Sequence, residues 1–175
     1  MPLPVAVALR SASGIRRFLS KGARFSCTEG APMRVLVLHG PNLNLLGVRD
    51  PATYGTQTLD EVNQRIRATA LELNVTVQCE QYNGEGSIID ALHAARGKYD
   101  AIVINPGAYA HYSYAIADAL ASIGIPAIEV HLSNVAARDE FRQRSVTAAA
   151  CKGTIAGLGA AGYSVALRAL AENEK

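Results

Sequence analysis

Cysteine is scarce in this chain of 175 residues: Cys27, Cys79 and Cys151 form no pair at metal or redox spacing, and their odd number leaves one over. That pattern suits a reducing compartment, and the three are expected as packing residues. No apolar run approaches the roughly 20 residues of a membrane-spanning helix. A Gly-x-x-x-x-Gly-Lys-Ser/Thr loop for nucleotide phosphates is missing, and no His, Cys and Glu fall at metal-ligand spacing. Gly157-Leu-Gly-Ala-Ala-Gly162 does look like a dinucleotide loop, but the chain ends before a ribose-binding acid could follow. Those glycines fit close helix-to-sheet packing better. The expectation is chemistry with no metal and no cofactor.

An excess of charge is lacking as well. The formal net charge is +2, but residues 1–32 hold five Lys or Arg against Glu29 alone, so the remainder carries 12 basic and 14 acidic side chains. The body of the chain is not a nucleic-acid binder by charge. Residues 1–32 form an N-terminal extension set apart from a domain at 33–175. Leu9 to Ser20 is rich in Arg and Ser with no acid, as in a transit peptide, and the alternative is an unstructured tail made by translation starting upstream of Met33. A cytoplasmic location is expected, with an organelle as the alternative if residues 1–32 target the chain.

What is present is ordinary globular composition, 49% hydrophobic and 18% charged, arranged as alternating strand and helix signals. Arg34-Val-Leu-Val-Leu38 is an apolar run suited to a buried central strand. It stops at His39-Gly-Pro-Asn-Leu-Asn-Leu-Leu-Gly47, and Val48 to Gly55 then reads as a mobile flap carrying Arg49 and Tyr54. Thr58-Leu-Asp-Glu61 is a capping box opening a helix with one buried face. Val75–Cys79 is a second strand, and a helix opens at Ser87 and stops by Gly97. Ala101–Ile104, Pro126–Val130 and Gly153–Ala156 are further strands, separated by a helix over about 113–122 and a short charged helix from Arg138. A last helix spans about 160–171. Such alternation predicts a flavodoxin-like, doubly wound parallel sheet of five strands, order 2-1-3-4-5, with helices on both faces.

In that fold ligands bind beyond the carboxyl ends of the strands. The loops there hold Asn42, Asn44, Arg49 and Tyr54, then Asn105 and His111, then Glu129, His131 and Ser133. Packing does not account for so many hydrogen-bonding side chains along one edge, and they suit acid–base chemistry. A phenol of pKa ~10 is a poor base, but a neighbouring guanidinium favours its anion, and Arg49 could do this for Tyr54. His131 can protonate a leaving group with Glu129 holding it in place. Asn side chains can hold a water or an oxyanion, and Arg142 suits a carboxylate or a polyhydroxylated ring.

These motifs resemble the type II 3-dehydroquinate dehydratase family over Met33 to Glu172. The resemblance is carried by His39–Gly47 with Arg49 and Tyr54, Asn105-Pro-Gly-Ala-Tyr-Ala-His111, Glu129-Val-His-Leu-Ser-Asn134 and Arg138-Asp-Glu-Phe-Arg142. It implies that a Tyr54 phenolate takes a proton from carbon 2 of 3-dehydroquinate, with Arg49 favouring that anion and Asn42 helping to hold a water near the enolate oxygen. His131 would protonate the departing hydroxyl at carbon 1. Asn105, His111, Leu132, Ser133 and Arg142 would hold the substrate, and Asp118 would arrive from a neighbouring subunit of a dodecamer built as four trimers. Glu129 and Arg138 are expected as ion partners behind the reactants. The chain departs from the family pattern at Asp50, at Tyr82-Asn-Gly-Glu85 and at Tyr112. A non-catalytic small-molecule sensor or scaffold on the same fold is the competing expectation.

Overall fold

The computed structural model describes residues 31–49 and 55–172. Tyr54 and most of the N-terminal extension lie outside the described residues. Five strands, β1 (Arg34–His39), β2 (Thr76–Gln81), β3 (Ala101–Asn105), β4 (Ala127–His131) and β5 (Gly153–Ala156), form one sheet in the order β2-β1-β3-β4-β5. Every pairing is parallel, as expected for strands joined by helical crossovers. The helices are α1 (Leu59–Glu72), α2 (Glu85–Ala95), α3 (Tyr114–Ile123), α4 (Glu140–Gln143) and α5 (Ala161–Glu172).

Alternation along the central strands splits the interior into two layers. Val35 and Val37 of β1, Val103 of β3 and Val130 of β4 pack against Val62 and Ile66 of α1 and Tyr163 and Leu167 of α5. Leu36, Leu38, Ile102 and Ile104 face the other way, against Ile88 and Leu92 of α2 and Ile116 and Leu120 of α3. Because both faces are covered, β1 and β3 carry almost unbroken apolar runs.

The same pleat decides where the polar strand ends point. His39 and Asn105 continue the first face, toward α1 and α5, whereas Glu129 and His131 continue the second. His39 pairs in register with both Gln81 and Asn105, so three polar side chains stand abreast at the carboxyl edge.

Local signals behave as their chemistry predicts. Thr58 Oγ1 accepts from Glu61 N at 3.3 Å while Glu61 Oε2 accepts from Thr58 N at 2.7 Å, closing the capping box. Gly124 ends α3 with φ +69°, a left-handed turn.

Three boundaries differ from expectation. Strand β2 runs from Thr76 to Gln81 because it pairs with all of β1 and, at the sheet edge, tolerates polar residues. Helix α2 starts at Glu85 with Gly84 as its cap, so Ser87 lies inside the first turn. The charged segment after β4 forms a 3-10 turn, Val135–Ala137, capped at Arg138, before the single turn of α4. Among the described residues no helix is long and apolar enough to cross a membrane.

Candidate active site

The site begins where β1 and β3 end. Gly40 N donates to Asn105 O at 2.7 Å, and a Cβ on Gly40 would come within 2.5 Å of the Pro106 backbone. Only glycine lets the two loops approach so closely. Gly107, at φ +59°, meets Pro41 from the other side, where a Cβ would lie 3.2 Å from the proline ring. These contacts set the two loops side by side, Asn42 on one and Asn105 on the other.

Asn42 itself adopts a left-handed conformation, φ 64°, at the start of the 3-10 turn Leu43–Leu45. Its backbone N–H donates to Asn83 Oδ1 at 3.0 Å, and Gln81 Nε2 donates to the same oxygen. The segment Tyr82-Asn-Gly-Glu85 thus supports the first loop through Asn83, a residue that follows the family pattern, and not through the departures at Tyr82 and Gly84. Glu85 accepts a 2.5 Å hydrogen bond from Ser113 Oγ, which fastens the first turn of α2 to the cap of α3. Arg49 Nη1 donates to Asn42 O at 3.2 Å. Tyr112, another departure, is exposed and stacks edge-on against Tyr109.

On the other face, His131 Nε2 lies 2.7 Å from Glu129 Oε1, and neither side chain is open to solvent. Ser145 Oγ donates to that same oxygen at 2.7 Å, while Thr147 Oγ1 donates to Oε2 at 2.5 Å. Burial by itself would raise the Glu129 pKa. The hydrogen bonds from His131, Thr147 and Ser145, with the charge of His131, outweigh it and hold the carboxyl below its usual value. An anion so placed fixes the orientation of the imidazole.

His111 stacks on His131 with ring centroids 6.5 Å apart, and its Nδ1 donates to Arg144 O at 2.9 Å. The other ring nitrogen is left for a ligand. Arg138 Nη1 donates to Ser133 Oγ at 3.2 Å. Arg142 lies over the Phe141 ring at 4.6 Å, and its Nε is buried without a hydrogen bond, 3.4 Å from Asp139 Oδ2. A buried, unsatisfied donor on a guanidinium is a ready partner for a carboxylate or hydroxyl.

One open cleft gathers these groups. Asn42, Arg49, Asn105, His111, His131, Leu132, Ser133, Arg138 and Arg142 line it, all residues singled out from the sequence. Glu129 stands behind His131. Asp118 does not line it: that side chain is exposed on α3. Sequence reasoning missed Ser145 and Thr147, which carry no local signature and meet Glu129 only because the chain returns under β4 before β5. Asn83, His39 and Tyr163 were missed as supports for the same reason. Among the described residues no three His, Cys, Asp or Glu gather as a metal site would require.

A carboxylate-backed imidazole, a guanidinium whose buried Nε makes no hydrogen bond, and converging amides, set beyond the carboxyl ends of a doubly wound sheet, define an acid–base enzyme acting on a small polar, anionic molecule. Comparison with known proteins narrows the class. Residues 33–171 match the family model described as Dehydroquinase class II. The chain is 55% identical over 139 residues to the 3-dehydroquinate dehydratase of Pelotomaculum thermopropionicum, covering 79% of this chain and 96% of that protein. It is 52% identical over 140 residues to that of Desulforudis audaxviator, covering 80% and 93%. The crystal structure of type II dehydroquinase from Butyrivibrio crossotus superposes with a TM-score of 0.79 at 49% identity, covering 81% of this chain and 99% of that one. The chain belongs to the class II dehydroquinase family.

Proposed function

We propose that the chain dehydrates 3-dehydroquinate to 3-dehydroshikimate in the shikimate pathway, by trans elimination through an enolate. The observation that carries this reading is His131, clamped by a buried, ionised Glu129 in the wall of a cleft that also presents Asn105 and Arg142. The Tyr54 phenolate removes a proton from carbon 2, beside the ketone, and the electron pair moves onto the ketone oxygen as an enolate. Arg49 favours that phenolate, and Asn42 holds a water near the enolate oxygen. The enolate collapses, the carbon 1–oxygen bond breaks, and the His131 imidazolium gives its proton to the departing hydroxyl. Water leaves, and Tyr54 and His131 exchange their proton states with solvent before the next turnover.

Asn105, His111, Arg142 and the Leu132–Ser133 segment hold the substrate, the unsatisfied Arg142 Nε supporting a contact with its carboxylate or a hydroxyl. Asp118 acts from a neighbouring subunit, which agrees with its exposure on α3 away from its own cleft. The assembly is a dodecamer of four trimers in the cytoplasm, and residues 1–32 are an extension separate from the catalytic domain. The assay is direct. Purified protein is given 3-dehydroquinate without added metal or nucleotide, and the absorbance of the conjugated enone is followed. No rise in absorbance, with substrate binding retained, would favour the sensor reading.

A further inference from the structure

Behind Asn105 runs a buried chain of hydrogen bonds that the reaction itself does not use. Asn105 Nδ2 donates to Tyr163 Oη at 3.2 Å, Tyr163 Oη lies 3.0 Å from His39 Nδ1, and His39 Nε2 lies 2.9 Å from Asn63 Oδ1. Tyr163 and His39 are each 1% exposed and Asn105 3%, so water cannot substitute for a missing partner. Burial pushes the His39 pKa down to about 4 against the pull of the Asn63 hydrogen bond, which leaves the ring neutral. Burial also pushes the Tyr163 phenol up, so it keeps its proton.

Neutral groups in a line must agree on a direction. Asn63 Oδ1 accepts, so His39 carries its hydrogen on Nε2 and its Nδ1 is bare. The bare Nδ1 takes the Tyr163 hydroxyl hydrogen, and the phenolic oxygen then accepts from Asn105. At the far end Gly107 N–H donates to Asn105 Oδ1 at 3.2 Å. Turning the Asn105 amide over would set its NH2 against that N–H, donor against donor. The chain and Gly107 therefore impose the same orientation from opposite sides. One Nδ2 hydrogen of Asn105 is committed to Tyr163, and the other remains for a ligand oxygen in the cleft.

We propose that Tyr163 and His39 are positioning residues, which hold the Asn105 amide with an N–H presented to an oxygen of the bound substrate. This rests on the reading that Asn105 touches the substrate. Neither residue meets the reacting atoms, so both act through Asn105 on binding, and their loss appears in KM rather than kcat.

The test is steady-state kinetics on the full chain. Asn105→Ala defines the effect of losing the amide, and Tyr163→Phe removes only the hydroxyl. Tyr163→Phe is expected to raise KM about tenfold, with kcat within about threefold of wild type, as for one misoriented hydrogen bond. Adding Tyr163→Phe to Asn105→Ala is expected to raise KM no further. A glutamine amide can donate to Asn63 and accept from Tyr163, so His39→Gln keeps KM near wild type, whereas His39→Leu matches Tyr163→Phe. A purely structural role would lower the melting temperature or the active fraction and leave KM alone. The proposal is overturned if Tyr163→Phe and His39→Leu keep a wild-type KM while Asn105→Ala raises it. If Asn105→Ala itself leaves KM unchanged, the placement of Asn105 at the substrate falls, and the positioning role with it.

Discussion

Thr147→Val probes the clamp on His131, the proposed general acid, without touching the imidazole. Thr147 is fully buried, and its hydroxyl gives Glu129 Oε2 a hydrogen bond, while Oε1 holds both His131 and Ser145. Valine keeps the shape and strips a donor from a buried carboxylate. Losing a hydrogen bond to a charged group costs about 1.5 to 3 kcal/mol, and the added buried methyl returns up to about 0.8 kcal/mol. The net loss is about 1 to 2 kcal/mol, or roughly 2–8 °C in melting temperature for a domain of this size. The pH dependence carries the argument. Because Glu129 sits below its usual pKa when folded, its ionisation adds stability above the ordinary carboxylate range, lost as pH falls through the folded value. With one donor fewer the variant takes up its proton at higher pH. The gap between wild type and Thr147→Val is therefore widest near neutrality and narrows toward pH 4. Thermal scans from pH 7.5 to 4, with the assembly state matched by size-exclusion chromatography, measure that gap. A gap that stays constant or widens in acid would refute the view that Thr147 acts by holding Glu129 ionised.

The remaining predictions concern the reactants, the assembly and the extension. Tyr54→Phe is expected to cut turnover by about 10²- to 10⁴-fold with substrate binding by calorimetry largely intact, and a rate within tenfold of wild type removes Tyr54 as the base. Arg49→Ala is nearly as damaging, and its residual activity moves to higher pH, because the phenol ionises less readily without the guanidinium. Asp118→Ala lowers activity, and refolding it together with Tyr54→Phe restores some. Mixed assemblies no more active than the average of the two alone would exclude action across an interface. A chain starting at Met33 should match the full one in melting temperature and turnover, and a large loss in either would show that residues 1–32 pack onto the body.

The parts of the fold legible in the sequence are those whose causes are local. The Val-Leu-Val-Leu run of β1, the capping box at Thr58 and the left-handed Gly124 each specify their neighbourhood within a few residues, and the strand order is the flavodoxin-like default, which the repeated strand–helix unit allows but does not by itself dictate. The edge strand was harder to delimit. Glu80 and Gln81 look like the end of a strand, yet β2 needs burial on neither side of them and continues because β1 supplies partners. In the site, residues projecting from strand ends into the cleft were legible, since the topology says where those ends meet. Their supports were not. Nothing near Ser145 and Thr147 announces a carboxylate 16 and 18 residues away, and nothing near Tyr163 announces His39, 124 residues away.

That last separation sets the order in which the parts of the cleft and their supports are made. A chain emerging from its N-terminus presents β1, β3 and β4 before α5, at roughly 5–20 residues per second. Until α5 arrives, Val35, Val37, Val103 and Val130 lack the cover of Leu167 and Tyr163, and Asn105 lacks its hydroxyl partner. Without α5 one apolar layer stands uncovered, and the Gly107 N–H alone is left to orient the Asn105 amide. Docking of α5 closes that layer and adds the Tyr163 tie on Asn105 in one event. The last helix to be made is thus both a cover for the core and a brace for the cleft.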